Sequence, residues 1–171
     1  TDVYGENSGH TGAAFLTIPV DAAGLARGTT SLIPDHDATA LLSSIATTSL
    51  MDSRCFAASH LQWLLDLRKE FVAACFPVTH IGTIGFAGQL FTLGDQPYSR
   101  DIDEKPSTPA FSEFSLTGAF ARELVPNLLS AGIAGSYVES RLDNTSARTF
   151  DVSGDILLRR KWMRLKASCA H

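Results

Sequence analysis

Between Phe71 and Gly94 the chain carries no Asp, Glu, Lys or Arg. So long an uncharged stretch belongs either in a core or against a membrane, since both environments penalise an unpaired charge. Pro77, His80, Gln89 and the glycines at 82, 85 and 88 interrupt it. Leu and Ile do not dominate it as they do a helical span. The pattern predicts a helix end followed by two buried strands, 78–86 and 89–93, in a soluble core. Membrane contact of 71–94 is the weaker alternative, because pattern alone does not separate the two for short apolar runs.

Composition supports one compact unit. A chain of 171 residues buries about 70% of its unfolded surface, enough for a core without staples. Its 44% apolar and 19% charged residues exclude a disordered chain, which lacks apolar side chains. Cys55, Cys75 and Cys169 are odd in number and far apart, so neither a disulfide framework nor a zinc ribbon is expected. Reduced thiols suggest an intracellular, reducing compartment and leave an organelle or a virion open. The first basic residue is Arg27, so the pattern of a secretory leader is missing.

The elements predict an α+β fold, a helix-rich single domain with a small sheet of short strands. Residues 1–12, polar and glycine-containing, read as an arm, 13–155 as the globular domain, and 156–171 as a basic carboxyl-terminal segment. Short strands are expected at 13–20 and 29–33. Pro34-Asp35-His36-Asp37 opens a helix to about Leu50, with Asp35 or Asp37 as its cap. The clearest helix is expected over 53–76. Phe56, His60, Trp63 or Leu64, Leu67, Phe71 and Ala74 or Cys75 would form its apolar stripe, and Pro77 would end it. Two more helices are expected at 114–125 and 126–141, with Pro126 at the first position of the second. Residues 94–109 read as a long loop, a length that is often functional. Residues 149–152 would pair with those from 156 onward.

Candidate chemistry is sparse. His60 on the stripe reads as a hydrogen-bonded core histidine and His80 as buried. A Cys75–His80 pair lacks a third group to orient it. Asp35-His36-Asp37 lacks a metal-ligand spacing. The glycines at 5, 9 and 12 precede a strand, whereas phosphate loops follow one. No catalytic residue, metal or cofactor is assigned, and an enzyme is the disfavoured class.

The strongest feature is charge asymmetry. Arg159, Arg160, Lys161, Arg164 and Lys166 cluster after the last acid, Asp155, with Trp162 among them, in a chain of net charge −4. A basic run with an aromatic suits an acidic protein neighbour, or phosphates with a stacked base. The segment Asp143-Asn144-Thr145-Ser146-Ala147-Arg148, followed by Asp151-Val152-Ser153-Gly154, resembles a stretch in the coat proteins of rod-shaped plant viruses. It covers about a dozen residues, and the chain after it is shorter than that family's.

The sequence thus favours a structural, coat-like or large-complex subunit that contacts other protein subunits, self or hetero. Its basic segment would touch an acidic partner or nucleic acid. Two alternatives stand beside it. One is a small enzyme or ligand-binding domain with a pocket near 78–109. The other is a nucleic-acid-binding module.

Overall fold

The structure, a computed structural model, describes residues 16, 18–20, 25–26, 37–62, 66–93, 111–142, 145–160 and 163–170. Its body is one seven-stranded antiparallel sheet in which every strand pairs with its neighbours in chain order. The strands are β1 (Cys55–Gln62), β2 (Leu67–Val78), β3 (Gly82–Leu93), β4 (Phe111–Val125), β5 (Leu129–Leu142), β6 (Thr145–Arg160) and β7 (Met163–Ala170). The only other described secondary structure of note is a short helix α1 (Ala40–Ser43) and a 3-10 helix, Ile45–Leu50. Both lie on one face of the sheet, against β3, β4, β5 and β6.

The helix-rich α+β expectation is therefore wrong: this is a sheet-dominated fold built from long strands. The expected helix 53–76 is the β1–β2 hairpin. Its supposed stripe divides between two faces, with Phe56 and His60 on one and Leu67, Phe71 and Cys75 on the other. The expected helices 114–125 and 126–141 are β4 and β5. Gly118, Gly132 and Gly135, with Ser112, Ser115, Thr117, Ser130, Ser136 and Ser140, carry low helix propensity there. The pair expected within 78–93 is one strand, β3, and residues 149–152 and 156 onward belong to one strand, β6.

Pro126 starts a turn. It follows Val125, and Asn127 adopts a left-handed φ of 59°, the arrangement that Pro then Asn favours in a tight turn. Leu128 N–H donates to Val125 C=O at 3.0 Å. The β2–β3 connection is equally short, with Ile81 N–H donating to Val78 C=O at 3.0 Å and His80 at a φ of 65°. These two turns and the β6–β7 connection sit at one end of the sheet, and 94–110 join β3 to β4 at the other.

The segment 37–51 is seated by small residues and one carboxylate. A Cβ on Gly85 would meet Leu41 Cδ2 at 2.3 Å, and one on Gly132 would meet the Ala46 backbone nitrogen at 2.6 Å. Asp155 on β6 accepts from Ser44 Oγ at 2.9 Å and from Ala46 N–H at 2.8 Å. It thereby satisfies donors at the start of the 3-10 helix that have no partner within it. The helix expected from Pro34 to about Leu50 is instead α1 and the 3-10 helix; Asp37 accepts from the Thr39 N–H at 2.8 Å, but the N-cap of α1 is Thr39, with no side-chain cap bond. The expected arm 1–12, the strands 13–20 and 29–33, Asp35, His36 and the loop 94–109 lie wholly or mostly outside the described residues.

Candidate functional site: a sheet with inverted faces

In a strand, alternate side chains point to opposite faces. The register therefore assigns every strand residue to one of two surfaces, and the two differ in kind. The face covered by α1 and the 3-10 helix, here the inner face, carries mostly small and polar side chains, with Phe71, Phe91, Val138 and Leu157 buried among them. Lys69, Gln89, Ser115, Thr117, Ser130 and Asp155 are all buried on it, interspersed with Ala73, Ala87, Ala119, Ala121 and Ala134. Some of these groups bond to each other. Gln89 Nε2 donates to Ser115 Oγ at 3.3 Å, and Thr117 Oγ1 lies 2.9 Å from Ser136 Oγ. Ser140 Oγ donates to Glu113 Oε1 at 3.2 Å.

The outer face carries the large apolar side chains, exposed. One row across the strands reads Phe56, Ala74, Phe86, Gly118, Gly135, Val152. The next reads Ala58, Val72, Gly88, Leu116, Tyr137, Phe150, and on the other side runs Phe76, Ile84, Phe120, Ile133, Gly154. Phe56 is 73% exposed and Phe150 is 79% exposed. None of these three rows holds a charge. Small residues at Ala58, Ala74 and Gly88 leave an apolar hollow of about 580 Å³ between Phe56, Val72, Phe86 and Leu116.

Charge returns at the two ends. Toward the 94–110 end the outer positions are His60, Glu70, Arg68, Glu139, Arg141 and Arg148. His60 Nδ1 lies 2.6 Å from Glu70 Oε1, and Glu139 takes Arg141 at 2.7 Å and Arg148 at 3.5 Å. Tyr137 stands at the border. Its ring lies 5.2 Å from that of Phe150 in the apolar row, while its hydroxyl donates to Glu139 Oε2 at 2.9 Å. At the turn end Arg122 faces outward beside Glu123.

His60, expected in the core, is exposed and in hydrogen-bond contact with Glu70. His80, expected to be buried, is an exposed turn residue beside a shallow polar hollow with Asp52, Thr79 and Arg122. That hollow adjoins the first part of the pocket region expected at 78–109, of which 94–109 are not described. Of the basic cluster, Arg159 lies near the end of β6 and pairs with Glu123 on β4. Arg160, Arg164 and Lys166 fall within β6 and β7 by register, while Lys161 and Trp162 lie outside the described residues. Arg159 is thus in an ion pair within the fold, and the side chains of the other five lie outside the description.

Sequence reasoning missed the outer-face rows. The signal was present as period-two spacing, Phe114, Leu116, Phe120 and Leu124 alternating with Glu113, Ser115, Thr117, Ala119 and Ala121. Among the described residues no helix is long and apolar enough to cross a membrane, and no group of three or more His, Cys, Asp and Glu could hold a metal ion. Comparison with family models, with curated proteins and with solved structures finds no match to this chain. The class the fold defines is an antiparallel meander whose outer face, rich in large apolar side chains, is uncovered among the described residues and whose inner face is packed by residues 37–51.

Proposed function

We propose that this chain forms part of the wall of a membrane-spanning β-barrel, with its outer face in lipid and residues 37–51 filling the inside. The inversion of the faces carries the reading. A sheet in water hides large apolar side chains and shows polar ones, and lipid reverses both preferences.

Dimensions support it. β2 to β6 are 12 to 16 residues long, against a usual 5–6 or so in globular domains and about 9–11 needed to cross hydrocarbon. The uncharged outer positions run from Phe114 to Phe120 on β4 and from Phe150 to Leu158 on β6. At about 3.4 Å per residue that is roughly 20–27 Å along the strands, the scale of the ~25 Å apolar band of such barrels. Tyr137 sits at the border as interfacial aromatics do. An odd-numbered meander leaves β1 and β7 pointing the same way. All-antiparallel closure then calls for an odd number of further strands, because copies inserted in one direction would meet edge to edge in parallel.

The test uses the full chain in phospholipid vesicles with its native cysteines replaced by serine. Single fluorescent labels at Leu116→Cys and Phe150→Cys should be quenched by brominated acyl chains, and one at Ser115→Cys should not. Equal quenching on both faces, or none at 116 and 150, sinks the reading.

A second reading keeps the chain as a structural subunit of a multi-chain assembly in a reducing compartment. The edges of β1 and β7, unpaired among the described residues, favour it, since an exposed strand edge is a template for another chain. Protein would then cover the outer face, and the brominated lipid would quench at neither position.

A further inference from the structure

Cys55 and Cys75 take no part in the reading above. They stand directly opposite each other in the β1–β2 register. Both lie on the inner face, Cys75 fully buried and Cys55 partly so, and both are free thiols. Directly opposed residues of an antiparallel pair have Cα atoms about 4.5 or 5.5 Å apart. Both values fall within the disulfide range of about 4.4–6.8 Å. Their Cβ atoms, about 4.5–5.5 Å apart in such pairs, need to approach by about 1 Å to bond. Cys55 is placed to make that movement, because it begins the edge strand, which pairs on one side alone among the described residues. Cys55 Sγ also lies 3.4 Å from Met51 Sδ, so the thiols face the segment that fills the inside. Cys169, exposed on β7 opposite Gly154 at the other edge of the sheet, has no such partner in register.

We propose that Cys55 and Cys75 form a reversible disulfide that staples the edge strand β1 to β2, made by exchange with a small-molecule disulfide. The Cys55 thiolate, the more open of the two, attacks one sulfur of the oxidant. A mixed disulfide forms, the oxidant's S–S bond breaks, and one small thiolate leaves. The Cys75 thiolate then attacks Cys55 Sγ and expels the second small thiolate. The protons from the two cysteines end on the two departing thiolates, and the two electrons lost by the protein reduce the oxidant. The staple does not depend on what covers the outer face.

The experiment treats the folded full chain carrying Cys169→Ser with oxidised glutathione, quenches, and alkylates after unfolding. The expected product is lighter by two hydrogen atoms, takes up no alkylating reagent, and regains both thiols on reduction. In parallel, the unsubstituted chain is oxidised and digested, and the peptide holding Cys55 should be found joined to that holding Cys75. A lasting glutathione adduct on Cys55 with Cys75 free overturns the proposal. So do two unreacted thiols, or a Cys55 peptide joined to that of Cys169.

Discussion

Ser115 and Leu116 are neighbours on β4 and meet opposite surroundings. Ser115 is 1% exposed and accepts a hydrogen bond from Gln89, while Leu116 is 54% exposed between Gly88 and Tyr137. The same contrast repeats at Thr117 against Phe120 and at Asp155 against Ile156. The inner face holds together through polar bonds, close small-residue contacts and an apolar cluster that includes Phe71, Leu41 and Ile45. Among the described residues the outer face makes contacts only between its own side chains, such as Phe56 with Phe76 and Tyr137 with Phe150. The difference teaches that burial on the inner face combines fit, an apolar cluster and polar bonds, while the outer rows leave large apolar surface that the described residues do not bury.

The largest expected effect breaks the inner face. Asp155→Ala removes two charge-assisted hydrogen bonds and strands the Ala46 N–H and Ser44 Oγ in a buried site. It should destabilise the chain by about 3–5 kcal/mol, read from denaturant unfolding in lipid vesicles. A loss below about 1 kcal/mol would show that the segment 37–51 is held by something else.

A change on the outer face should have a cost that depends on depth. Leu116→Arg, in the middle of the apolar rows, should cost about 2–4 kcal/mol, and Leu158→Arg, at their end, about 0–1 kcal/mol. The same unfolding measurement gives the profile. Equal costs at the two positions would break the lipid assignment and leave the inner-face chemistry untouched.

The smallest pair sharpens the comparison with one methyl group. Gly132→Ala places a Cβ 2.6 Å from the Ala46 nitrogen and should destabilise by about 1–3 kcal/mol through overpacking. Gly118→Ala faces outward with nothing within 4 Å and should be neutral or stabilising by up to about 1 kcal/mol. Melting temperatures of the two variants in the same vesicles decide it, and a reversed order would mean that the faces have been misassigned.

Some of this was legible before the structure. The uncharged stretch 71–94 marks an apolar region, and the strand character of β3 is readable in it. The hairpins were misread for a physical reason. A single apolar stripe is what a water-soluble helix buries, and here large apolar residues occur on both faces, most of them on the outer one. With Ala and Gly scattered over both faces, the period-two contrast of Phe114, Leu116 and Phe120 was diluted, and helical spacing fitted as well. Asp155 looked like the last acid before a basic tail, and nothing local said that it holds residues 44 and 46. The pairing of Cys55 with Cys75 was equally hidden, since it needs the hairpin register.

By itself the sequence determined the local ingredients: the alternation, the turn residues Pro126 and Asn127, the glycines, and the absence of charge across 71–94. Only the tertiary structure decided which alternate set points inward, because that choice depends on what packs on the covered side. Once Gly85, Gly132 and Asp155 accommodate α1 and the 3-10 helix, a shift of one residue in β3 or β4 would turn a large side chain such as Phe86 or Phe120 toward that segment. The small and polar set is thereby held inside and the apolar set outside.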